Sequence, residues 1–324
     1  MARGNLSGVD MSAFDDLPSY LVLAPYDRPP LIWGTECWLL SDRRGQSSSV
    51  VGGPFDGAPL TELVDRFGER LAGARGVRAD GRLALLVKLL ETRDRLSVQV
   101  HPGWDDLPTL PPGAESKEEA WLVLDAEPGA RITLGARSGC TREAFAAALS
   151  AGAVEAELAS FEPRPGDVIH VRPGTLHAIG AGLRLAEVQE SSDTTYRVWD
   201  WGRVEADGRP RALHVAEALT VTHFDRDPAA CRTPGSGSLS ASGRRLLQAA
   251  PFVMDWTVPG RTAPLAGLPD RFAAHTLMVG EARVAGPGPA RPLAPMQTVL
   301  VPPRGHVVLE ASSPGAAFLS VSLP

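Results

Sequence analysis

"PGDVIHVRPGTLHAIG", residues 165–180, reads as a strand, a tight Pro-Gly turn and a second strand. An echo follows near the end of the chain in "APMQTVLVPPRGHVVLE", residues 294–310. Both stretches hold an apolar strand, a Pro/Gly turn and a histidine re-entering a strand. Two related small β-barrels would produce this repeat. Chance similarity between two hairpins would produce it too.

Working outward, the chain keeps the same character. Its 33 glycines and 29 prolines fall between short apolar runs, the pattern of a β-rich chain with many turns. "RLALLVKLLE" (82–91) is a strongly apolar segment, and "EEAWLVLDA" (118–126) and "RITLG" read as strands. Two stretches break the pattern. "APLTELVDRFGERLAG" (58–73) has helical spacing of Leu60, Leu63, Val64, Phe67 and Leu71. "CTREAFAAALSAGAVEAELASF" (140–161) is Ala-rich, with Thr141 as N-cap, and predicts a second helix. "RTPGSGSLSASGRR" (232–245) has the composition of a linker or mobile loop.

Bulk properties exclude several classes. The chain has 324 residues, 44% hydrophobic and 22% charged, which suits a soluble globular protein of one large or two ordinary domains. A net charge of −6 with mixed signs gives no footprint for nucleic acid or an anionic membrane. No apolar run approaches the ~20 residues a membrane span needs. The start lacks a basic region followed by an apolar core, and Met11 is a second candidate start. Three widely spaced cysteines form no disulfide framework, so a reducing cytoplasm is the expected setting.

The chemistry gathers around "LSVQVHP", residues 96–102. Strand side chains alternate, so Ser97, Gln99 and His101 share one face. Alone, that face is either the wet side of a sheet or one wall of a site. His177 follows "RPGT", where a hairpin turn would place it at a barrel rim, and Glu119 opens a strand. Two imidazoles, a carboxylate and an amide oxygen form a donor set for zinc or a similar divalent ion. In "SSDTTYRVWDWGR" (191–203), alternation puts Asp193, Thr195, Arg197 and Trp199 on one face. A surface Asp–Arg pair explains that pattern, and so does an arginine whose planar fork binds an anionic substrate. Lys88 is the one charge in "LLVKLLE", either snorkelling outward or buried with a role, and Lys117 would by default be solvated.

These stretches together resemble the type I mannose-6-phosphate isomerases, in their short bacterial form. "LVKLLETRDRLSVQVHP" resembles the family's lysine-bearing strand and S-[IV]-Q-x-H-P motif. "SKEEAW" resembles its K-x-E-x-W segment. "PGDVIHVRPGTLHAIGAGLRLAEVQESSDTTYRVWDWGR" resembles its P-G-T-[LV]-H-A and E-x-Q-x-S-D-x-T-Y-R-[VL]-[WY]-D stretches. The match runs in order over roughly residues 30–220. The segment between His101 and Lys117 departs from the family's acidic run.

The resemblance implies a mainly β, cupin jelly-roll fold with helical insertions and a second, smaller cupin-like domain. Its expected boundaries are 1–228 for the catalytic domain, 229–245 for a flexible linker and 246–324 for a C-terminal β domain without metal. It implies one Zn2+ per chain, on Gln99, His101, Glu119 and His177. It implies interconversion of mannose 6-phosphate and fructose 6-phosphate through a cis-enediol. Arg197, Lys117 and Glu187 then carry catalysis, and Ser97, Lys88 and Arg197 bind substrate. The expected partner is a small sugar phosphate, without nucleic acid or membrane, acting on a monomer or weak homodimer. The alternatives are a cupin isomerase or epimerase for another sugar, or a non-catalytic sugar-binding cupin.

Overall fold

The computed structural model describes residues 16–205, 208–235, 238–239 and 242–324. The alternative start at Met11 lies outside them. The protein is mainly β. Among the described residues, no helix is long and apolar enough to cross a membrane.

Two compact units form, and neither is one continuous stretch. One contains Cys37–Lys88, most residues before Pro29 and those after Leu239; the other contains Pro29–Glu36 and Leu89–Leu239. This differs from a linear division near residue 228. The reason is strand pairing: Leu21–Ala24 inserts between Thr298–Val301 and Ser49–Val50, tying the two ends of the chain into one sheet.

In the Leu89–Leu239 unit two sheets face each other. In one, Glu119–Ala126 runs antiparallel between Val168–Val171 and Leu183–Glu190. In the other, Leu158–Phe161, Ile132–Ala136, His177–Ile179, Val98–Val100 and Tyr196–Trp199 lie in that order. Trp121, Val123, Ile169, Val171 and Leu185 from the first pack against Ile132, Leu134 and Ile179 from the second. Alternate residues of the second sheet, including Val98, Val100, Ala178 and Val198, form a separate core with Phe145, Ala218 and Val221 of the flanking helices.

The two strands of residues 165–180 therefore do not form a hairpin. Val168–Val171 joins one sheet, and His177–Ile179 joins the other. The Arg172–Leu176 connection crosses the edge of the sandwich and leaves His177 fully buried.

The other unit repeats this topology. Ala273–Val279 lies between Thr298–Val301 and Ala317–Ser322. Ala282–Ala285 pairs with Arg291–Leu293 and His306–Ala311, which also pairs with Thr262–Ala266. Seven strands thus correspond in order and partners to Val98–Val100 through Leu183–Glu190. The echo between 165–180 and 294–310 is a repeat of architecture. It is not a repeat of the histidine. Five residues lie between Val171 and His177, but four lie between Val301 and His306. The one-residue difference turns His306 to the exposed face, and Val307 takes the core position.

The helical segments are shorter than their sequence patterns. Residues 58–73 form Leu60–Phe67 and Glu69–Ala72, broken at Gly68, with Leu60, Leu63, Val64, Phe67 and Leu71 buried as their spacing predicts. Residues 140–161 are α-helical only over Arg142–Ser150, capped by Thr141 Oγ1 accepting the Ala144 N–H, with a short 3-10 turn at Val154–Glu157. The chain turns at Gly152, and Leu158–Phe161 pairs with Ile132–Ala136 instead. Ladder pairing outweighs the Ala-rich helix propensity there. The expected linker 229–245 is also narrower. Pro228–Cys231 forms a 3-10 turn, and Arg232–Thr233 pairs with Val168–Ile169.

Candidate metal centre and sugar site

Two rows of side chains meet across the interior of the Leu89–Leu239 unit. On one sheet, Gln99 lies directly between His177 and Arg197 on its neighbouring strands. On the other, Glu119 lies directly between Val171 and Gln189. Residues opposite each other on adjacent strands share a face, so each row projects as a unit.

His101, Glu119 and His177 converge. One ligand atom from each falls within 4.8 Å of the others. His101 Nε2 is 3.4 Å from Glu119 Oε2, and His177 Nε2 is 3.5 Å from Glu119 Oε1. All three side chains are at most 1% exposed. Among the described residues, His101 Nε2, His177 Nε2 and Glu119 Oε1 have no hydrogen-bond partner, while Glu119 Oε2 is met by the Lys117 ammonium. Buried polar atoms are rarely left so. Three unmatched acceptors facing one another call for a cation.

The outer nitrogens fix the tautomers. His101 Nδ1 is 2.9 Å from the Thr194 carbonyl, and His177 Nδ1 is 2.9 Å from the Thr175 carbonyl. A carbonyl only accepts, so each Nδ1 carries the proton and each Nε2 presents a lone pair inward. Burial, reinforced by the Lys117 charge, pushes the His101 imidazole down to about 3. Burial likewise lowers His177, although Glu119 opposes it. Both rings are therefore neutral at pH 7, the form that binds metal. Burial alone would raise Glu119, but Lys117 and then His101 hold it well below the usual carboxylate range. The set is two neutral imidazoles and a carboxylate, with the Gln99 amide on the same face as His177. That donor set fits zinc.

The turn between the two sheets locks this arrangement. The Gly174 N–H donates to the His101 carbonyl (2.8 Å), and the Gly174 carbonyl accepts from the His223 N–H (2.9 Å). Arg226 donates to the Pro173 carbonyl and to Thr175 Oγ1. Gly174 has φ +79°, and a Cβ there would overlap the His223 ring.

The other sequence-predicted residues distribute as follows. Lys117 is buried, with Nζ 2.9 Å from Glu119 Oε2, so it is not a solvated loop lysine. Its flanks are clamped by Glu190, which accepts from Ser116 Oγ and the Glu118 N–H. Glu187 is buried and accepts the Trp121 indole N–H at 3.1 Å. Arg197 is half-buried, its Nε donating to Ser97 Oγ (3.2 Å) and its Nη1 to the Ala212 carbonyl (2.9 Å). Residues 191–195 are not strand, so strand alternation does not carry from Arg197 back to Asp193. Lys88 belongs to the other compact unit, where its ammonium lies 5.6 Å from the Trp38 ring.

Sequence reasoning missed the Thr175 and Thr194 carbonyls, since a backbone acceptor leaves no residue-type signal. Gln189 shares a sheet face with Glu187 by the alternation of "LAEVQES".

Comparison with known proteins follows the same lines. Residues 26–115 match the family model "Phosphomannose isomerase type I, catalytic domain". Mannose-6-phosphate isomerase of Streptococcus mutans is 35% identical over 247 residues, covering 74% of this chain and 75% of its own. The crystal structure of mannose 6-phosphate isomerase from Bacillus subtilis superposes with a TM-score of 0.78 at 25% identity, covering 94% of this chain and all of that one. A further mannose 6-phosphate isomerase structure, solved with zinc and yttrium bound, shares the fold with a TM-score of 0.69 at 14% identity, covering 94% of this chain and 99% of its own.

Proposed function

This chain belongs to the mannose-6-phosphate isomerase family, and we propose that it interconverts mannose 6-phosphate and fructose 6-phosphate with one zinc ion on Gln99, His101, Glu119 and His177. The observation that carries the reading is the buried His101–Glu119–His177 group, in which both Nε2 atoms and Glu119 Oε1 lack hydrogen-bond partners among the described residues.

Aldose–ketose isomerisation moves hydrogen between C1 and C2 through a cis-enediol. It needs positive charge near the two oxygens and a proton carrier near the two carbons. When bound, zinc would polarise those oxygens and offset charge developing on them. The Lys117 ammonium, held beside Glu119, adds a second positive charge in a water-poor interior where it is weakly screened. Glu187, oriented by the Trp121 indole, and Lys117 are the two buried groups assigned to proton exchange in this reading. Arg197 binds the phosphate, with Ser97 and the Ala212 carbonyl fixing its guanidinium plane.

The test is a coupled isomerase assay on mannose 6-phosphate beside a metal analysis. The purified protein should hold about one zinc per chain. A strong chelator should abolish activity, and added zinc should restore it. Full activity in verified metal-free protein would reject the zinc role, and no turnover by the zinc-loaded protein would reject the substrate.

A further inference from the structure

We propose that Gln189 is a sugar-binding residue of this site, its amide oxygen accepting a hydrogen bond from a substrate hydroxyl. The proposal rests on the sugar-phosphate reading above and names one of that site's specificity contacts.

Gln189 is fully buried near the end of Leu183–Glu190. Its Nε2 donates to the Glu190 carbonyl (2.8 Å) and the Ser192 carbonyl (3.0 Å). Two carbonyls can be served only by the NH2 group, so the amide orientation is fixed. The other end, Oε1, is buried without a hydrogen-bond partner among the described residues.

Position gives this atom its meaning. Gln189 stands directly opposite Glu119 in the ladder, and Glu187 stands opposite Trp121. Three unmatched acceptors belong to His101, His177 and Glu119, and a divalent ion would answer them, with Lys117 already meeting the fourth atom, Glu119 Oε2. Gln189 Oε1 is a fourth unmatched acceptor on the same sheet face as Glu119, left over if an ion takes the other three. It calls for a donor that arrives with the ligand. An open-chain hexose 6-phosphate carries hydroxyl donors on the carbons beyond its carbonyl. A carboxylate at this position would add a second buried negative charge beside Glu119, whereas an amide offers an acceptor without charge. The same amide latches residues 190–192, which lead into Arg197, so a hydroxyl contact here couples to the phosphate-binding strand.

The experiment is calorimetric binding of unreactive hexitol 6-phosphates to zinc-loaded protein. The ligands are the mannitol form and its 3-deoxy, 4-deoxy and 5-deoxy analogues. The wild type should bind one deoxy analogue about tenfold more weakly than the parent, and Gln189→Met should bind that pair equally. Zinc affinity should stay within about twofold of wild type, since the side chain contacts sugar and not metal. If the Met variant does not fold, Gln189→Asn, which retracts the amide by one methylene, is read against the same ligands. Unchanged discrimination in the variant overturns the proposal, as does a zinc-affinity loss matching that of His101→Ala. Wild-type turnover of mannose 6-phosphate is measured alongside. Its absence with the hexitol pattern intact rejects the isomerase reading and keeps the contact. Absence of hexitol binding to the wild type overturns both.

Discussion

The Thr175 and Thr194 carbonyls decide which nitrogen of His177 and of His101 faces the centre, and hence whether two buried imidazoles can serve as ligands. Residue identity supplied the imidazoles, and backbone position supplied their orientation. Gln99 and His101 were legible in "LSVQVHP" because strand alternation places them on one face. Glu119 and His177 were suggested by a strand start and a Pro-Gly turn, and the family pattern joined them to Gln99 and His101. Their meeting depends on two sheets facing each other, which no local spacing encodes. Arg197 carries the residue-level prediction. Arg197→Ala removes the guanidinium held by Ser97 and Ala212, and it should raise KM for hexose 6-phosphates about 100-fold, the loss of a charge-assisted bidentate contact. Any activity on the unphosphorylated sugar should change less than about threefold. Steady-state kinetics on both sugars checks this, and equal loss on both would argue against phosphate contact.

Among the elements, the Arg172–Leu176 connection does most to build the site. It carries the chain from one sheet to the other, ties to the His101 carbonyl through Gly174, and presents the Thr175 carbonyl to His177. Gly174→Ala should cost about 1–2 kcal/mol in left-handed backbone strain, with the overlap on His223 added to that. It should also weaken zinc about tenfold, the scale of a lost outer hydrogen bond to a ligand. Urea denaturation reads the first effect, and competition with a chromophoric chelator reads the second. Wild-type zinc affinity in a measurably destabilised variant would show that the turn supports only the fold. The sequence announced the turn through its Pro-Gly pair. It did not announce that the flanking strands part company, because alternating apolar residues suit either a hairpin or a sheet-to-sheet crossing. The shortened Arg142–Ser150 helix has a similar origin: "AELASF" is compatible with helix until Ile132–Ala136 offers it a ladder.

At the scale of the whole molecule, the same seven-strand topology appears in both units, with different interiors. The second interior carries Ala263, Leu265, Ala273, Val307 and Leu309 on its core-facing positions, so zinc analysis should return one ion per chain and not two. It also carries His275, buried, with Nδ1 2.8 Å from Ser320 Oγ. Burial pushes that imidazole down to about 4. The unfolded chain titrates it near 6.5 and binds its proton first as pH falls. Stability from this group is therefore intact above about pH 6.5 and is lost as pH falls towards about 4, at a slope of up to about 1.4 kcal/mol per pH unit. His275→Gln should flatten that part of the stability–pH curve in urea denaturation. An unchanged slope would show that other groups govern it.

The sequence by itself determined the β-rich class, the alternation that aligns Gln99 with His101, the positions of both helical insertions and the family. Those features are local, because period-2 patterning, turn residues and short motifs act within a few residues of each other. Tertiary structure decided the rest. The N-terminal strand Leu21–Ala24 became part of the C-terminal sheet, His306 turned outward while His177 turned inward, and Gln189 was left as an unmatched acceptor on the face of Glu119. Each of these outcomes depends on which strand lies beside which. That choice is set by pairing between residues far apart in the chain, and a change of one residue in a connection reverses the face a side chain presents.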